Sequence, residues 1–148
     1  MSRILGLDLG ETTIGVAISN SEQTLSLPLK TIRYSKGNYK KGREEVIKLC
    51  KEEKITKIVL GYPISMDGTI GPRAESVMRF KSDLEKESPN LSVFLQDERL
   101  STLEAKERLL ASGLKPDKIK ERIDEVAASV ILESYLKRKE NTRNENRW

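Results

Sequence analysis

The chain opens with two short apolar runs, Ile4–Leu9 and Ile14–Ile18, separated by the small polar turn Gly10-Glu11-Thr12-Thr13. Two such runs around a tight turn predict a β-hairpin, with strands at 3–9 and 13–19. Leu27, Leu29 and Ile32 mark a third strand at 27–32. The period then changes: Val46, Ile47, Leu49 and Cys50 keep helical spacing in a helix from Arg43 to Glu53. Lys57–Leu60 reads as a buried strand ending at Gly61, and 62–71 reads as a loop, with Pro63, an Asp67-Gly68 turn and Gly71. Pro72 can open a helix at its first position, running to about Glu87, and Pro89-Asn90 breaks it. Leu91–Gln96 gives a fifth strand. Ser101-Thr102-Leu103-Glu104 forms a capping box for a helix ending at Gly113, and Pro116 starts a last helix running to about Lys137.

Three strands, helix, strand, helix, strand and two helices form an antiparallel meander followed by βαβ units. That order predicts an α/β domain over 1–137 with a five-stranded mixed sheet and helices on its faces. The tail at 138–148 is basic and polar, and is expected to be disordered. At 148 residues the chain is long enough for one full sheet with helices, and its apolar stretches fall far short of the ~20 residues of a membrane span. The N-terminus enters a strand without a signal-peptide layout, and the one cysteine, Cys50, forms no internal disulfide and falls on an apolar helix stripe. A cytoplasmic location follows as the default expectation, with no membrane partner.

Histidine is absent. That excludes Ser-His-Asp and Cys-His sites, a histidine general base and histidine-ligated zinc, leaving carboxylates and oxygen-seeking metals for demanding hydrolysis. Net charge is +4, but it is unevenly placed. The segment 33–43 carries Arg33, Lys36, Lys40, Lys41 and Arg43 with two tyrosines and no acid, and the residues from Lys137 onward are again basic. Two basic segments on a mildly acidic body fit a polyanionic partner, against the plainer reading of a solvated loop and a frayed tail.

Three acidic positions stand in unusual company. Asp8 interrupts a strand otherwise made of Ile, Leu and Gly, where an unpaired carboxylate is costly. Asp97-Glu98 follows the fifth strand directly, at the sheet end where α/β proteins place their sites. Asp124 shares a helical stripe with Ala128, Ile131 and Tyr135 and borders the apolar face of Ile119, Ile123, Ala127 and Val130. Each has a bland alternative: a turn cap for Asp8, a pair with Arg99 for Asp97, a pair with Lys120 for Asp124. If the elements are neighbours, three carboxylates converge at one end of the sheet. Such a cluster repels itself unless a cation neutralises it; Mg²⁺ or Mn²⁺ would suit phosphoryl transfer. Alternation from Val93 and Leu95 favours Asp97 over Glu98 as the inward residue, although strand ends often bulge.

Four motifs, in order and sensibly spaced over 3–137, resemble the YqgF family, the bacterial RuvC-like proteins also called RuvX. They are Leu5-Gly-Leu-Asp-Leu-Gly10 with Gly15-Val-Ala-Ile-Ser19; Gly61-Tyr-Pro-Ile-Ser-Met-Asp-Gly68 with Gly71-Pro-Arg-Ala74; Asp97-Glu-Arg-Leu-Ser-Thr102; and Ile123-Asp-Glu-Val-Ala-Ala128. The resemblance implies a ribonuclease-H-like fold and a metal-dependent nuclease whose acidic residues map onto Asp8, Asp97-Glu98 and Asp124. It implies maturation of the 5′ end of pre-16S rRNA, with branched DNA such as Holliday junctions as the older proposal. Either a monomer or a homodimer is compatible with the sequence. Tyr62, Ser65 and Ile70 depart from the family pattern, which touches substrate details of the 62–71 loop. Lys36, Lys40, Lys41, Arg43, Arg73 and Arg99 are the candidates for contact with nucleic acid, Arg73 and Arg99 through phosphate. Ser101 reads better as a helix cap than as a nucleophile. Two other readings compete. The Asp-x-Gly-x-Thr motif also resembles the phosphate loop of the actin and sugar-kinase ATPases, which need two such domains, and a non-catalytic nucleic-acid-binding factor could use the same fold.

Overall fold

A computed structural model describes residues 2–63, 71–98 and 101–145. Its elements are β1 (Leu5–Leu9), β2 (Thr13–Ser19), β3 (Ser26–Arg33), α1 (Tyr39–Glu53), β4 (Lys57–Tyr62), α2 (Pro72–Glu87), β5 (Ser92–Asp97), α3 (Ser101–Ala111) and α4 (Pro116–Glu145). The strands form one sheet in the order β3-β2-β1-β4-β5. The first three strands pair antiparallel, and β4 lies parallel to both β1 and β5, as two crossover connections through helices require. The five-stranded mixed sheet expected from the strand order is present.

Alternation along the strands sorts the core into two layers. Leu5, Leu7 and Leu9 of β1, Ile14 and Val16 of β2, and Ile58 and Leu60 of β4 pack on one face, against Val46 and Leu49 of α1 and Val77, Phe80 and Leu84 of α2. The opposite face is built from smaller residues. There Ile4, Ala17 and Val59 meet Ala128, Ile131 and Leu132 of α4, and α3 covers α4 in turn through Ala105 and Leu109. Small residues on this face let α4 lie close to the sheet. A Cβ on Gly6 would fall 2.8 Å from Leu132 Cβ, and one on Gly15 would fall 1.9 Å from the Asp124 carbonyl oxygen.

Two element boundaries differ from expectation. α1 begins at Tyr39, four residues before Arg43, because Asn38 caps it: its side-chain oxygen accepts from the Lys41 amide. The basic stretch is therefore half loop and half helix. α4 continues through Glu145 instead of ending near Lys137, so residues 138–145 extend a helix whose first part the apolar stripe had marked. Pro72 does open α2, with Gly71 as its cap. Among the described residues no helix is long and apolar enough to cross a membrane.

Candidate active site

β1, β4 and β5 run parallel, so their C-terminal ends share one edge of the sheet. Asp8 lies near the end of β1, and Glu98 follows the last residue of β5. Register decides which acidic residue of the Asp97-Glu98 pair faces Asp8. Asp8 shares its face with Gly6, paired to Val59 of β4, and Val59 is paired to Phe94 of β5. Phe94, Gln96 and then Glu98 follow that face; Asp97 pairs with Tyr62 and falls with Leu95 on the other. Val93 and Leu95 therefore mark the opposite face, so the preference for Asp97 is corrected: Glu98, not Asp97, stands beside Asp8.

Glycine makes room for this arrangement. A Cβ on Gly61 would sit 2.6 Å from Glu98 Oε2 and 2.7 Å from Ile131 Cδ1. Gly15 is the cross-strand partner of Asp8, and its bare Cα is where the Asp124 backbone of α4 rests. These two glycines bring the three acidic elements together. In the sequence both glycines stand inside the family-like motifs, with no local signal that marks them as contact points.

Asp8 and Glu98 are nearly out of water, with side chains 12% and 7% exposed. Arg73, in the first turn of α2, joins them. Its Nη2 lies 3.8 Å from Asp8 Oδ1 and 3.5 Å from Glu98 Oε1, and it donates a 2.9 Å hydrogen bond to the Leu9 carbonyl. Burial pushes the Asp8 carboxyl well above the usual carboxylate range. The negative charge of Glu98 and a hydrogen bond to it add to the rise, Arg73 opposes it, and Asp124 raises it further. Asp124 thus contributes to the field at Asp8. Among the described residues, however, no group of three or more acidic, cysteine or histidine side chains forms a ready-made metal cluster. The close unit is the pair Asp8–Glu98, with Asp124 beside it.

The β1–β2 turn that carries Asp8 is tied down by Tyr34, whose hydroxyl lies 2.5 Å from the Gly10 carbonyl and 3.1 Å from that of Thr13. Burial raises the Tyr34 hydroxyl far above its ordinary value, so it remains a donor. Tyr34 also stacks edge-on against Tyr39 at 6.1 Å, and both pack on the main core. Both rings are thus partly buried and engaged in packing within the protein. Arg43 is likewise committed: its side chain is 13% exposed and pairs with Asp83 at 3.7 Å and Glu87 at 3.0 Å, holding α1 to α2. Lys36, Lys40 and Lys41 are exposed, Lys36 within 3.6 Å of Glu11. Arg99 and the loop positions Ser65 and Ile70 lie outside the described residues. Ser101 begins α3, buried, with its amide donating to the Glu98 carbonyl. Cys50 is buried, its thiol pushed up to about 11 by burial.

A mixed sheet in this order, with carboxylates at the C-terminal ends of its strands and a helix crossing the small-residue face, is the RuvC-like form of the ribonuclease-H fold. The structure of T. thermophilus RuvC in complex with a Holliday junction substrate superimposes with a TM-score of 0.60, covering 96% of this chain and 98% of that one at 12% identity. The fowlpox virus Holliday junction resolvase gives a TM-score of 0.55, with coverages of 91% and 98% and 15% identity. The family described as "RuvX: Holliday junction resolvase" matches residues 2–138. A Clostridium botulinum (strain Alaska E43 / Type E3) protein named "Putative pre-16S rRNA nuclease" is 44% identical over 136 residues, 92% of this chain and 97% of its own length. A Bacillus cereus (strain AH187) protein of the same name is 42% identical, with coverages of 93% and 99%. The chain belongs to the RuvX family.

Proposed function

We propose that this protein is a divalent-metal-dependent nuclease that hydrolyses phosphodiester bonds, with the 5′ end of pre-16S rRNA as its substrate and the cytoplasm as its place of work. One observation carries the reading: Asp8 and Glu98, two carboxylates almost wholly out of water, face each other at the C-terminal edge of the sheet, with Asp124 set against Gly15 behind them. Bringing two acids together in a poorly solvated place is costly unless a cation offsets it. Asp8, Glu98 and Asp124 would hold Mg²⁺ or Mn²⁺; an all-oxygen donor set suits those ions, and histidine-free chemistry needs them. The buried amide oxygen of Gln96, on the same face two residues before Glu98, has no hydrogen-bond partner among the described residues, a further oxygen for an ion or its water. When bound, the ion supplies Lewis acidity and a water of lowered pKa.

The chain's own residues do the rest. Asp8 and Glu98 fix the donor oxygens, because β1 and the end of β5 hold them on rigid elements. Tyr34 fixes the β1–β2 turn. Exposed Lys36, Lys40 and Lys41 offer phosphate contacts beside that turn, since residues 34–37 hydrogen-bond to the backbone of Glu11 and Thr12. The pre-rRNA assignment rests on the naming of relatives more than 40% identical along nearly their whole length. Side-by-side cleavage of a pre-16S 5′ leader and a four-way DNA junction in Mn²⁺ tests it. Faster cleavage of the leader, lost in Asp8→Asn, is expected. Preferential cleavage of the junction would transfer the assignment to branched DNA. Cleavage of neither, with both bound, would favour a non-catalytic binding factor.

A further inference from the structure

Arg73 is oddly placed for a structural cation. It sits in the first turn of α2, where the helix dipole is positive and a cation is disfavoured by ~0.3–1 kcal/mol. Its side chain is 60% exposed, so it contributes little to the core. What holds it there is one nitrogen, Nη2, which reaches Asp8 Oδ1, Glu98 Oε1 and the Leu9 carbonyl together. The two carboxylate contacts, at 3.8 and 3.5 Å, are ionic contacts too long for good hydrogen bonds, while the 2.9 Å bond to Leu9 anchors the group. Lys36, another cation near this end, is paired with Glu11 on the surface.

We propose that Arg73 is a built-in counter-cation: its guanidinium fills the cation position between Asp8 and Glu98 in the metal-free protein, and a divalent ion binds by displacing it. The inference rests on the metal-site reading above. The two cations seek the same oxygens and repel each other, so Arg73 weakens metal binding while keeping the carboxylate pair together before metal arrives. Its long, half-solvated stem can turn out of the site without repacking the sheet. The displaced guanidinium then stands at the rim, where a forked cation suits a phosphate of the substrate. Arg73 is in this sense a positioning residue for the ligands, and metal binding without any nucleic acid reports on it.

The test measures Mn²⁺ affinity of the full chain at fixed pH, by free-Mn²⁺ electron paramagnetic resonance, with thermal melts on the same samples. Arg73→Met removes the charge and keeps the stem. It should bind Mn²⁺ about tenfold more tightly than wild type, since a unit charge a few ångströms away is removed. Without metal it should melt at a lower temperature, and it should gain more on Mn²⁺ addition. Arg73→Lys, which retains the charge, should return the affinity to within about threefold of wild type. Arg73→Gln, which can still donate to the Leu9 carbonyl, carries the same expectation should the Met variant fail to fold. Unchanged or weaker Mn²⁺ binding in the neutral variant would overturn the proposal. Asp8→Asn separates the two layers: if it leaves Mn²⁺ affinity intact, the metal site itself is wrong. If Asp8→Asn weakens binding and Arg73→Met does not tighten it, only the counter-cation role fails.

Discussion

Asp8 carries a cost that the protein retains. Its carboxyl is buried against Glu98, and its pKa lies well above the usual carboxylate value. Between that usual value and the raised one, the folded protein binds a proton that the unfolded chain has lost. Stability therefore falls as pH rises through this window, the reverse of an ion-paired carboxylate. Asp8→Asn removes the titration while keeping shape and hydrogen bonding. Metal-free Asp8→Asn should thus melt above wild type at neutral pH, with the gap closing toward pH 4, as melts across pH 4–8 would measure. A variant that melts below wild type at pH 7 would show that the Asp8 carboxyl, with Arg73 beside it, is no net cost to the fold. Asp8 was legible because a carboxylate in an apolar strand is conspicuous. Choosing between Asp97 and Glu98 failed for a definite reason: Val93 and Leu95 belong to the layer of Leu5, Leu7 and Leu9, whereas Asp8 alternates with them and faces α4. Matching the acid to the residues that share Asp8's face, Ile4 and Gly6, would have selected Glu98.

At the scale of elements, the site depends on how closely α4 and β5 approach the sheet. That approach is written in glycines, which a hydrophobic pattern passes over. Two substitutions separate packing from chemistry. In Gly15→Ala the new Cβ meets backbone, 1.9 Å from the Asp124 carbonyl oxygen, and the helix must move. A loss of about 3 kcal/mol or more in urea denaturation is expected, at the severe end of overpacking. In Gly61→Ala the neighbours are side-chain ends, Glu98 Oε2 at 2.6 Å and Ile131 Cδ1 at 2.7 Å, which can yield. Stability should fall by only about 1 kcal/mol, while Mn²⁺ affinity should fall by roughly 10–100-fold as Glu98 is pushed aside. Equal stability losses with unchanged metal affinity would show that Glu98 is not held where the site needs it. The strands and most helices were readable from periodicity, because each buries a regular apolar face. The start of α1 was not, because its cap, Asn38, sits within a basic stretch whose first turn has no acidic residue to announce a helix.

Across the whole molecule, charge and topology meet at one end. The parallel strands deliver Asp8 and Glu98 to the C-terminal edge of the sheet, and hydrogen bonds from Tyr34 and Gly37 to Thr12 and Glu11 lay the basic segment beside it. The segment's composition suggested a uniform binding loop. Packing divides it instead, setting Tyr34 and Tyr39 against the core, tying Arg43 to α2 and leaving Lys36, Lys40 and Lys41 outside. No sequence pattern could make that division, because it depends on α2 presenting Asp83 and Glu87 to Arg43. The central claim is that the reacting end of the protein is the pair Asp8–Glu98 and that its neighbour in sequence, Asp97, serves elsewhere. Single-turnover cleavage of the pre-rRNA leader in saturating Mn²⁺, with Glu98→Gln and Asp97→Asn compared at equal substrate binding, measures this directly. The account predicts that Glu98→Gln loses at least about 10²–10³ in rate, the scale of removing one group that stabilises transition-state charge, while Asp97→Asn stays within a few fold of wild type. Loss of cleavage in Asp97→Asn with Glu98→Gln still active would contradict it.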